Sequence, residues 1–314
     1  MMKQKGIFVM QLQFLGTGAG IPSKLRNVTS ILLDLLQETN QMWMFDCGEA
    51  TQHQILSTSI RPRKIAKIFI THLHGDHIYG LPGFLSSRSF QGGDTPVQIF
   101  GPEGLKDFIQ TSLKVGETKL NYPLEFIDTR EGVIYEDSHF IVEAKLLQHG
   151  VDSYGYIVQQ KDLPGSLLPE KLRAEGIQPG PIFQQIKEND EVILDNGKKI
   201  ISSHFKGPKK KGKKVAILGD TKMDYSVISK LMGANVLVHE ATFSQENQDL
   251  ASAYYHSTTR DAATIAKEAN VKKLILTHIS SRYQPDDAEN LLAEAKDIFQ
   301  NCYIANDFDV FSIE

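Results

Sequence analysis

The stretch KIFITHLHGDH, residues 67–77, decides how this sequence is interpreted. Its first five residues form a mostly apolar run that is typical of a buried strand. Four potential metal ligands follow within six positions: His72, His74, Asp76 and His77. Imidazole nitrogens and carboxylate oxygens are the ligands that zinc takes where thiolates are absent. Because Gly75 lets the backbone turn tightly, we expect these side chains to converge on a metal ion at the end of a strand.

Further potential ligands lie at or just beyond the ends of other apolar runs. They are His149, Asp220, His239 and His278. A single residue of this kind more often caps a helix or satisfies a turn. Loops at strand ends are also where a rigid scaffold holds functional groups. Together with the first four, these residues can supply two metal ions that share a carboxylate such as Asp220, and such a pair predicts hydrolysis by a metal-activated water.

Composition excludes several classes of protein. The chain has 314 residues, 41% of them apolar and 23% charged, which is ordinary globular usage and not that of a disordered, collagen-like or coiled-coil protein. Its two cysteines, Cys47 and Cys302, argue against a disulfide scaffold and favour reduced thiols in a cytoplasmic setting. No run of about 18 apolar residues occurs, so we expect no membrane span. Residues 1–9 are an extra lead-in before the first predicted strand.

The alternation of short apolar runs with longer amphipathic stretches predicts an α/β fold, with helices covering the sheets. Nine runs are predicted strands: 10–15, 28–36, 42–46, 67–71, 97–100, 140–147, 215–220, 235–240 and 273–278. Three stretches are the clearest predicted helices: 103–115, 259–269 and 288–299.

One region differs from the rest in composition. Residues 151–214 are punctuated by Pro and Gly and hold 12 Lys and Arg against 8 Asp and Glu, whereas the whole chain has a net charge of −4. The pattern predicts an inserted, protruding basic arm at residues 151–212, between the two halves of one domain at 1–150 and 213–314. The lysine-rich stretch 206–214 taken alone is more often just a solvated loop.

The order HxHxDH, then a distant His, an Asp and a final His, resembles the metallo-β-lactamase superfamily, whose fold is a four-layer αβ/βα sandwich. Further stretches resemble one branch, the ribonuclease Z family of tRNA 3′-processing endonucleases. They are FLGTGAGIPSKLRNVTS (14–30), FDCGEATQHQI (45–55), SRSFQGG (87–93), HEAT (239–242) and HST (256–258). The resemblance covers most of the chain, and the insert lies where that family carries a flexible arm, the exosite that grips the tRNA elbow.

The resemblance implies two Zn²⁺ ions per subunit and a set of roles. One ion would be bound by His72, His74 and His149 and the other by Asp76, His77 and His278, with Asp220 bridging the two. Asp76 would also be the general base for the attacking water. His256, oriented by Glu240, would protonate the leaving 3′ oxygen, which suits a histidine whose charged form a carboxylate favours.

The resemblance also implies precursor tRNA as the partner. The RNA-binding residues would be Lys24, Arg26, Asn27, Lys209, Lys210, Lys211, Lys213, Lys214 and Arg282. The first three lie in a loop that would meet the acceptor end, and the lysines lie on the arm. The net negative charge does not oppose this, because affinity depends on where the positive charges lie. The family is commonly homodimeric, with the arm of one subunit clamping RNA that the other cuts.

The activity implied is zinc-dependent removal of the 3′ trailer from precursor tRNA, at or near the discriminator base, leaving a 3′ hydroxyl. An alternative is another hydrolase of the superfamily, either a thioesterase of the glyoxalase II kind or a small phosphodiesterase. A third interpretation is a metal-stabilised RNA-binding module without turnover. We expect no nucleotide cofactor, since GTGAG (16–20) lacks the G-x-G-x-x-G spacing and Ile21-Pro22 follows it.

Overall fold

A computed structural model describes residues 10–194, 196–284 and 286–314, so the predicted lead-in, residues 1–9, lies outside the described residues. The strands, in chain order, are β1 (Gln11–Gly16), β2 (Gly18–Ala19), β3 (Ser30–Leu35), β4 (Gln41–Phe45), β5 (Ile65–Phe69), β6 (Val97–Gly101), β7 (Leu124–Asp128), β8 (Gly132–Glu136), β9 (Phe140–Leu146), β10 (Tyr154–Gln160), β11 (Glu191–Ile193), β12 (Lys199–Ile201), β13 (Lys214–Ile217), β14 (Val236–Glu240), β15 (Leu274–Thr277), β16 (Ile279–Ser280), β17 (Cys302–Ile304) and β18 (Val310–Ser312). The α-helices are α1 (Thr51–Ile55), α2 (Gly75–Ile78), α3 (Leu81–Phe90), α4 (Leu105–Val115), α5 (Pro169–Ala174), α6 (Pro181–Glu188), α7 (Ile228–Leu231), α8 (Gln248–Ala253), α9 (Thr259–Glu268) and α10 (Asp287–Lys296).

Two seven-stranded mixed sheets form the body of the molecule. The first has the order β18-β1-β3-β4-β5-β6-β7 and the second β17-β15-β14-β13-β10-β9-β8. Within them, β4 to β7 run parallel to one another, as do β13, β14, β15 and β17. The carboxyl ends of the parallel strands of one sheet meet at one edge, which is where loops can bring functional groups together.

Aromatic and β-branched side chains fill the space between the two sheets. The ring of Phe69 stacks on those of Phe45 and Phe100, with centroids 5.0 and 4.6 Å away, and lies 5.3 Å from the ring of Tyr156 in the second sheet. The alternate residues of the same strands point outward, as the two-residue period of a strand requires. The inner core is therefore built from one face of each sheet.

The outer faces are covered by helices, which completes four layers. On the first sheet, Met44 and Ile68 belong to one apolar cluster with Phe84 of α3. On the second sheet, Leu237 belongs to another with Ile265 of α9. The predicted αβ/βα sandwich is thus confirmed, and the nine predicted strands and three predicted helices are all present, within three residues at each end. Within the described part of the chain, every helix is too short or too polar to span a membrane.

One interior strand of the second sheet lies within the predicted arm, so the predicted boundary of the arm is wrong. The predicted arm, residues 151–212, included β10, which lies between β13 and β9 in the second sheet. Tyr154, Tyr156 and Val158 alternate into the inner core from this strand. The compact unit distinct from the sandwich is residues Gln160–Lys213, here called the inserted unit.

The inserted unit has a small apolar core of its own. It contains α5, α6 and the β11–β12 ribbon, and its buried residues are Leu172, Ile177, Ile186, Val192, Ile200 and Phe205. Near its two ends in sequence, Leu163 and Lys210 exchange both backbone hydrogen bonds, with N to O distances of 2.9 and 3.0 Å. Its role as a tRNA-binding arm stays a prediction.

The position of β10 predicts different outcomes for two deletions. Replacing residues 164–209 by an Asn-Gly turn retains β10 and closes the hydrogen-bonded pair Leu163–Lys210 with a two-residue loop, so we expect cooperative unfolding. Deleting residues 155–210 removes an interior strand, so we expect no cooperative transition. Near-ultraviolet circular dichroism during heating distinguishes the two. A cooperative transition in the longer deletion would contradict the placement of β10.

Candidate metal centre

The HLHGDH segment connects β5 to α2 at the carboxyl edge of the first sheet. Thr71 follows the strand, and its backbone N–H and hydroxyl donate to the Asp46 carboxylate at the end of the neighbouring β4, at 2.8 and 2.9 Å. Gly75 opens α2, where a Cβ atom would come within 2.2 Å of the Tyr79 ring. Gly75 is not among the glycines with a positive φ angle, so the expected turn here is not one that only glycine can adopt. A side chain at this position would displace the exposed Tyr79 ring.

A first ligand group surrounds His74. Its Nδ1 lies 3.0 Å from Nε2 of His72 and 3.3 Å from Nε2 of His149. The Asp220 Oδ2 atom lies 3.6 Å from Nε2 of His72, and one ligand atom from each of the four residues lies within 4.8 Å of all the others. Ligands around a tetrahedral zinc ion at its usual bond lengths are about 3.3 Å apart. The group has that spacing.

A second ligand group lies on the other side of Asp220. Its members are Asp76, His77 and His278. Nε2 of His77 and Nε2 of His278 are 3.3 Å apart, and they lie 3.5 and 3.3 Å from Oδ2 of Asp76. Oδ2 of Asp220 lies 3.5 Å from the first of these nitrogens and 3.3 Å from the second. The same carboxylate oxygen thus borders both groups.

Hydrogen bonds outside the two groups fix the tautomers of four imidazoles. The Nδ1 atoms face these oxygens: His72 Nδ1 faces Thr71 Oγ1 at 3.0 Å, His77 Nδ1 faces Asp46 Oδ2 at 2.7 Å, His149 Nδ1 faces Tyr255 O at 2.9 Å and His278 Nδ1 faces Thr242 Oγ1 at 2.8 Å. Both hydroxyls donate to carboxylates, those of Asp46 and Glu240, so in all four cases the oxygen accepts and Nδ1 carries the proton.

With Nδ1 held by these oxygens, the four Nε2 atoms point into the site, and each offers a lone pair when it carries no proton. Lone pairs that converge this closely repel one another unless a cation lies among them, and such outer partners are typical of metal-binding histidines. Asp46, Thr242 and Tyr255 were not predicted as site residues, because none of them belongs to the ligand motif. Asp46 directly follows β4, as the ligands follow other strands, and this position is the signal in the sequence that could have identified it.

The charges of the donors also suit divalent cations. Burial, together with the neighbouring His77, lowers the pKa of His72 well below its usual value, which keeps a neutral imidazole with a free lone pair. Burial alone would raise the pKa of Asp76 and of Asp220, but positive charge on His77 and His278 outweighs it, and Asp220 and Asp46 raise the pKa of His77 in turn. The carboxylates thus call for positive charge at this position, which a divalent cation would supply in place of those protons. The residues present therefore fit bound metal ions.

A further acid–base pair stands beside the ligand groups. His256 Nδ1 lies 2.8 Å from Oε1 of the buried Glu240, which also accepts from the backbone N–H of Thr221 at 3.0 Å. Burial would lower the pKa of His256, but the Glu240 carboxylate raises it to about 9. Since Nδ1 is committed to Glu240, Nε2 is the nitrogen that remains for a substrate.

The ligand groups open into a cavity of about 330 Å³. It is lined by His74, Asp76, His149, Asp220, His256 and His278, among others. The GTGAG loop also reaches it, because the N–H of Gly20 donates to Oδ2 of Asp76 at 2.7 Å. His239 does not take part: it is buried, its Nδ1 lies 2.7 Å from the carbonyl oxygen of Glu240, and neither ligand group in the described residues includes it.

Comparisons with known proteins identify the family. A family model described as anti-Pycsar protein Apyc1 matches residues 10–141. Curated relatives named ribonuclease Z are 57% identical in Anoxybacillus flavithermus and 55% identical in Oceanobacillus iheyensis; each alignment spans 97% of this chain, and 97% and 100% of the respective relative. This chain belongs to the ribonuclease Z family.

Solved structures agree with the ribonuclease Z assignment. The crystal structure of human tRNase Z, short form, has a TM-score of 0.71 and 30% identity, covering 97% of this chain and 100% of that one. The metallo-β-lactamase fold protein YhfI from Bacillus subtilis, with a TM-score of 0.68 and 18% identity over 97% of this chain and 99% of its own, supports the fold alone. The family and the fold predicted from the motifs are both confirmed.

The loop predicted to meet RNA in the ribonuclease Z family has mixed exposure. Lys24 is exposed and lines a second cavity of about 750 Å³. The Arg26 guanidinium donates to the carbonyl oxygen of Ala305 at 2.5 Å, and the Asn27 side chain donates to the carbonyl oxygen of Glu49 at 2.8 Å. Arg26 and Asn27 therefore stabilise the loop, and any contact of theirs with RNA stays a prediction.

The other predicted RNA-binding residues also divide by exposure. Lys209, Lys210 and Lys211 are exposed in the inserted unit, and Lys213 is partly exposed. Lys214 instead begins β13, and its Nζ donates to the carbonyl oxygen of Met232 at 3.1 Å.

Arg282 is exposed beside the metal-centre cavity. Its guanidinium lies 5.0 Å from the ring centre of Phe243, which lines that cavity. This position is compatible with the predicted phosphate contact.

Proposed function

We propose that this chain is a metal-dependent endoribonuclease that removes the 3′ trailer from precursor tRNA, cutting at or near the discriminator base and leaving a 3′ hydroxyl. The observation that carries the proposal is the single oxygen of Asp220 that borders two ligand groups, with the His256–Glu240 pair beside it. The near-full-length identity with relatives named ribonuclease Z supports an RNA substrate. The structure named human tRNase Z supports tRNA in particular.

Zinc, two ions per subunit, is the metal that we propose. The nitrogen and oxygen donors and their spacing support it. The first ion would be held by His72, His74 and His149, the second by Asp76, His77 and His278, and both by Asp220. Bound there, the ions would lower the pKa of water and stabilise negative charge at the phosphoryl group.

The chain's own residues would handle the protons. The Asp76 carboxylate lines the cavity and is the group that would accept a proton from the attacking water. His256 would give its Nε2 proton to the leaving 3′ oxygen, while Glu240 holds the opposite nitrogen and favours the charged ring. Acid and base would thus be two separate groups.

Substrate binding is proposed to use exposed cations. Lys24 and Arg282 would meet the RNA near the cut, and the exposed lysines of the inserted unit would meet the rigid tRNA body. We also propose a homodimer in the cytoplasm, in which the inserted unit of one subunit holds tRNA that the other cuts. This part of the proposal rests on family membership.

The proposal predicts one chelator-sensitive cut in a precursor tRNA that bears a 3′ trailer. Purified protein is incubated with the RNA, with and without a chelator, and the cut is mapped to the nucleotide. We expect a single cut beside the discriminator base, with a 3′ hydroxyl on the tRNA. Binding without cleavage would favour the RNA-binding module. Hydrolysis of thioesters or small phosphodiesters only would favour another hydrolase of the superfamily.

His256→Ala is expected to lower kcat on precursor tRNA by about 10²–10⁴-fold, because the leaving oxygen loses its proton donor. Metal content should not change. A substrate with sulfur in place of the leaving 3′ oxygen needs no protonation, so wild type and variant should cleave it at similar rates. His139→Ala, at an exposed histidine away from the site, is the control. Equal losses on both substrates would refute the role of His256 as the acid.

If the exposed lysines of the inserted unit bind tRNA, their removal should raise KM for precursor tRNA by on the order of 10-fold. The variant combines Lys209→Gln, Lys210→Gln and Lys211→Gln. The slope of log KM against log salt should fall by up to about 3, since three phosphate contacts are lost. Hydrolysis of bis(p-nitrophenyl) phosphate should be unaffected. The control is a triple variant that removes the same charge from exposed lysines of the sandwich: Lys114→Gln, Lys119→Gln and Lys272→Gln. An equal effect of this control would show that only net charge matters.

A further inference from the structure

The turn near the carboxyl end of the chain makes charged contacts with the loop that follows β1. The Asp307 carboxylate accepts three hydrogen bonds there. Its Oδ1 accepts from the Thr17 hydroxyl at 2.7 Å, and its Oδ2 accepts from the Asn27 N–H at 2.7 Å and from Nε2 of Gln54 at 3.0 Å. A half-buried carboxylate with three donors fixes the positions of all of them.

Arg26 completes this network from the other side. Its Nη1 donates to Oγ1 of Thr17 at 2.7 Å and to the carbonyl oxygen of Ala305, while its Nη2 donates to Oδ1 of Asn306 at 2.9 Å. The Thr17 hydroxyl therefore accepts from a guanidinium and donates to Asp307. The residues that follow Thr17 are held by charge-assisted hydrogen bonds to a segment some 290 residues later in the chain.

The same loop touches the second ligand group at two points. The N–H of Gly20 donates to Oδ2 of Asp76 at 2.7 Å. The carbonyl oxygen of Thr17 accepts from the N–H of Ile279 at 2.9 Å, and β2 then pairs with β16, which begins directly after His278. Two of the three members of the second group thus depend on where this loop lies.

His278 has a backbone conformation that needs such support. Its φ angle is 57°, in the left-handed region that residues with a side chain rarely adopt. A conformation of this kind persists when the surroundings over-determine it. Thr242 contacts the His278 ring, and Thr17 holds the next peptide group through Ile279.

The first ligand group lacks this connection. Among the described residues, the hydrogen bonds of its three histidines reach Thr71, Tyr255 and one another, and none reaches the loop or the carboxyl-terminal turn. The hydrogen-bond network of Asp307 therefore reaches the second ligand group and not the first.

We propose that Asp307 is a positioning residue for the second metal ion, acting through Thr17 and the loop that touches Asp76 and His278. The inference rests on the proposed two-metal site. Loss of an outer partner commonly lowers metal affinity by about 10–100-fold. Asp307→Ala should therefore lower the zinc affinity of one of two sites by about this factor and leave the other unchanged.

The first measurement is the zinc content per subunit of the full-length protein, by mass spectrometry after dialysis against a graded zinc buffer. We expect two zinc ions in wild type and one in Asp307→Ala at an intermediate free zinc concentration. Asp309→Asn is the matched control, because this carboxylate lies in the same turn and its side-chain hydrogen bonds go to Asn306. Asp307→Asn can still accept from Asn27 and donate to Thr17, so partial recovery is expected.

Two variants, each with one damaged ligand group, show which of the two metal sites Asp307 affects. In His74→Ala, which damages the first group, adding Asp307→Ala should remove the remaining tightly bound zinc. In His278→Ala, which damages the second group, adding it should change nothing further. Thr17→Val preserves shape while removing the hydroxyl that joins Arg26 to Asp307, so it carries the same test if Asp307→Ala does not fold.

The outcomes that would overturn the role of Asp307 differ from the outcome that would overturn the proposed metal centre. Retention of both zinc ions by folded Asp307→Ala and Thr17→Val, or an equal loss from both sites, would overturn the role of Asp307. Additivity in the His278→Ala background would overturn it as well. Wild-type protein that binds no zinc would overturn the proposed metal centre itself.

Discussion

The carboxylate of Asp220 lies buried among imidazoles, and the architecture of the site depends on that one arrangement. A buried charge is costly unless nearby groups of opposite charge or bound cations compensate it. The compensating groups here come from widely separated positions, since His72 and His77 follow β5 and His278 follows β15. Only a fold that brings the ends of both sheets together can hold them around one oxygen.

In the sandwich, the inner core provides rigidity, and the loops at the strand ends carry the functional groups. The inner core is almost entirely apolar, and the stacked rings of Phe45, Phe69 and Phe100 fix the spacing of three parallel strands. The strands then end, and the first polar residues beyond them, such as Asp46 and Thr71, accept or donate hydrogen bonds that orient the ligands. Because interiors packed in this way have low compressibility, they hold the groups at their edge in fixed positions.

The sequence predicts the ligands well because they are a local motif, and it predicts partners poorly where these lie far apart in the chain. His72, His74, Asp76 and His77 occupy six positions, so residue type alone reveals them. The Arg26 guanidinium donates to the carbonyl oxygen of Ala305, 279 residues later, and no local pattern signals that partner. The strand β10 was missed because the Gly-Pro-rich insert that follows it dominated the local composition, although its alternating Tyr154, Tyr156 and Val158 were visible.

The acid and the ligand groups are also not independent of one another. His256 Nδ1 lies 2.8 Å from Glu240 and 3.9 Å from the same Asp220 oxygen that borders both ligand groups. Glu240 in turn accepts from the Thr242 hydroxyl, which faces His278. A single chain of hydrogen bonds therefore links the proposed proton donor to a proposed ligand. A change at any member alters orientation and charge at both ends, so rate effects of these residues are not additive and must be separated by measuring metal content alongside turnover.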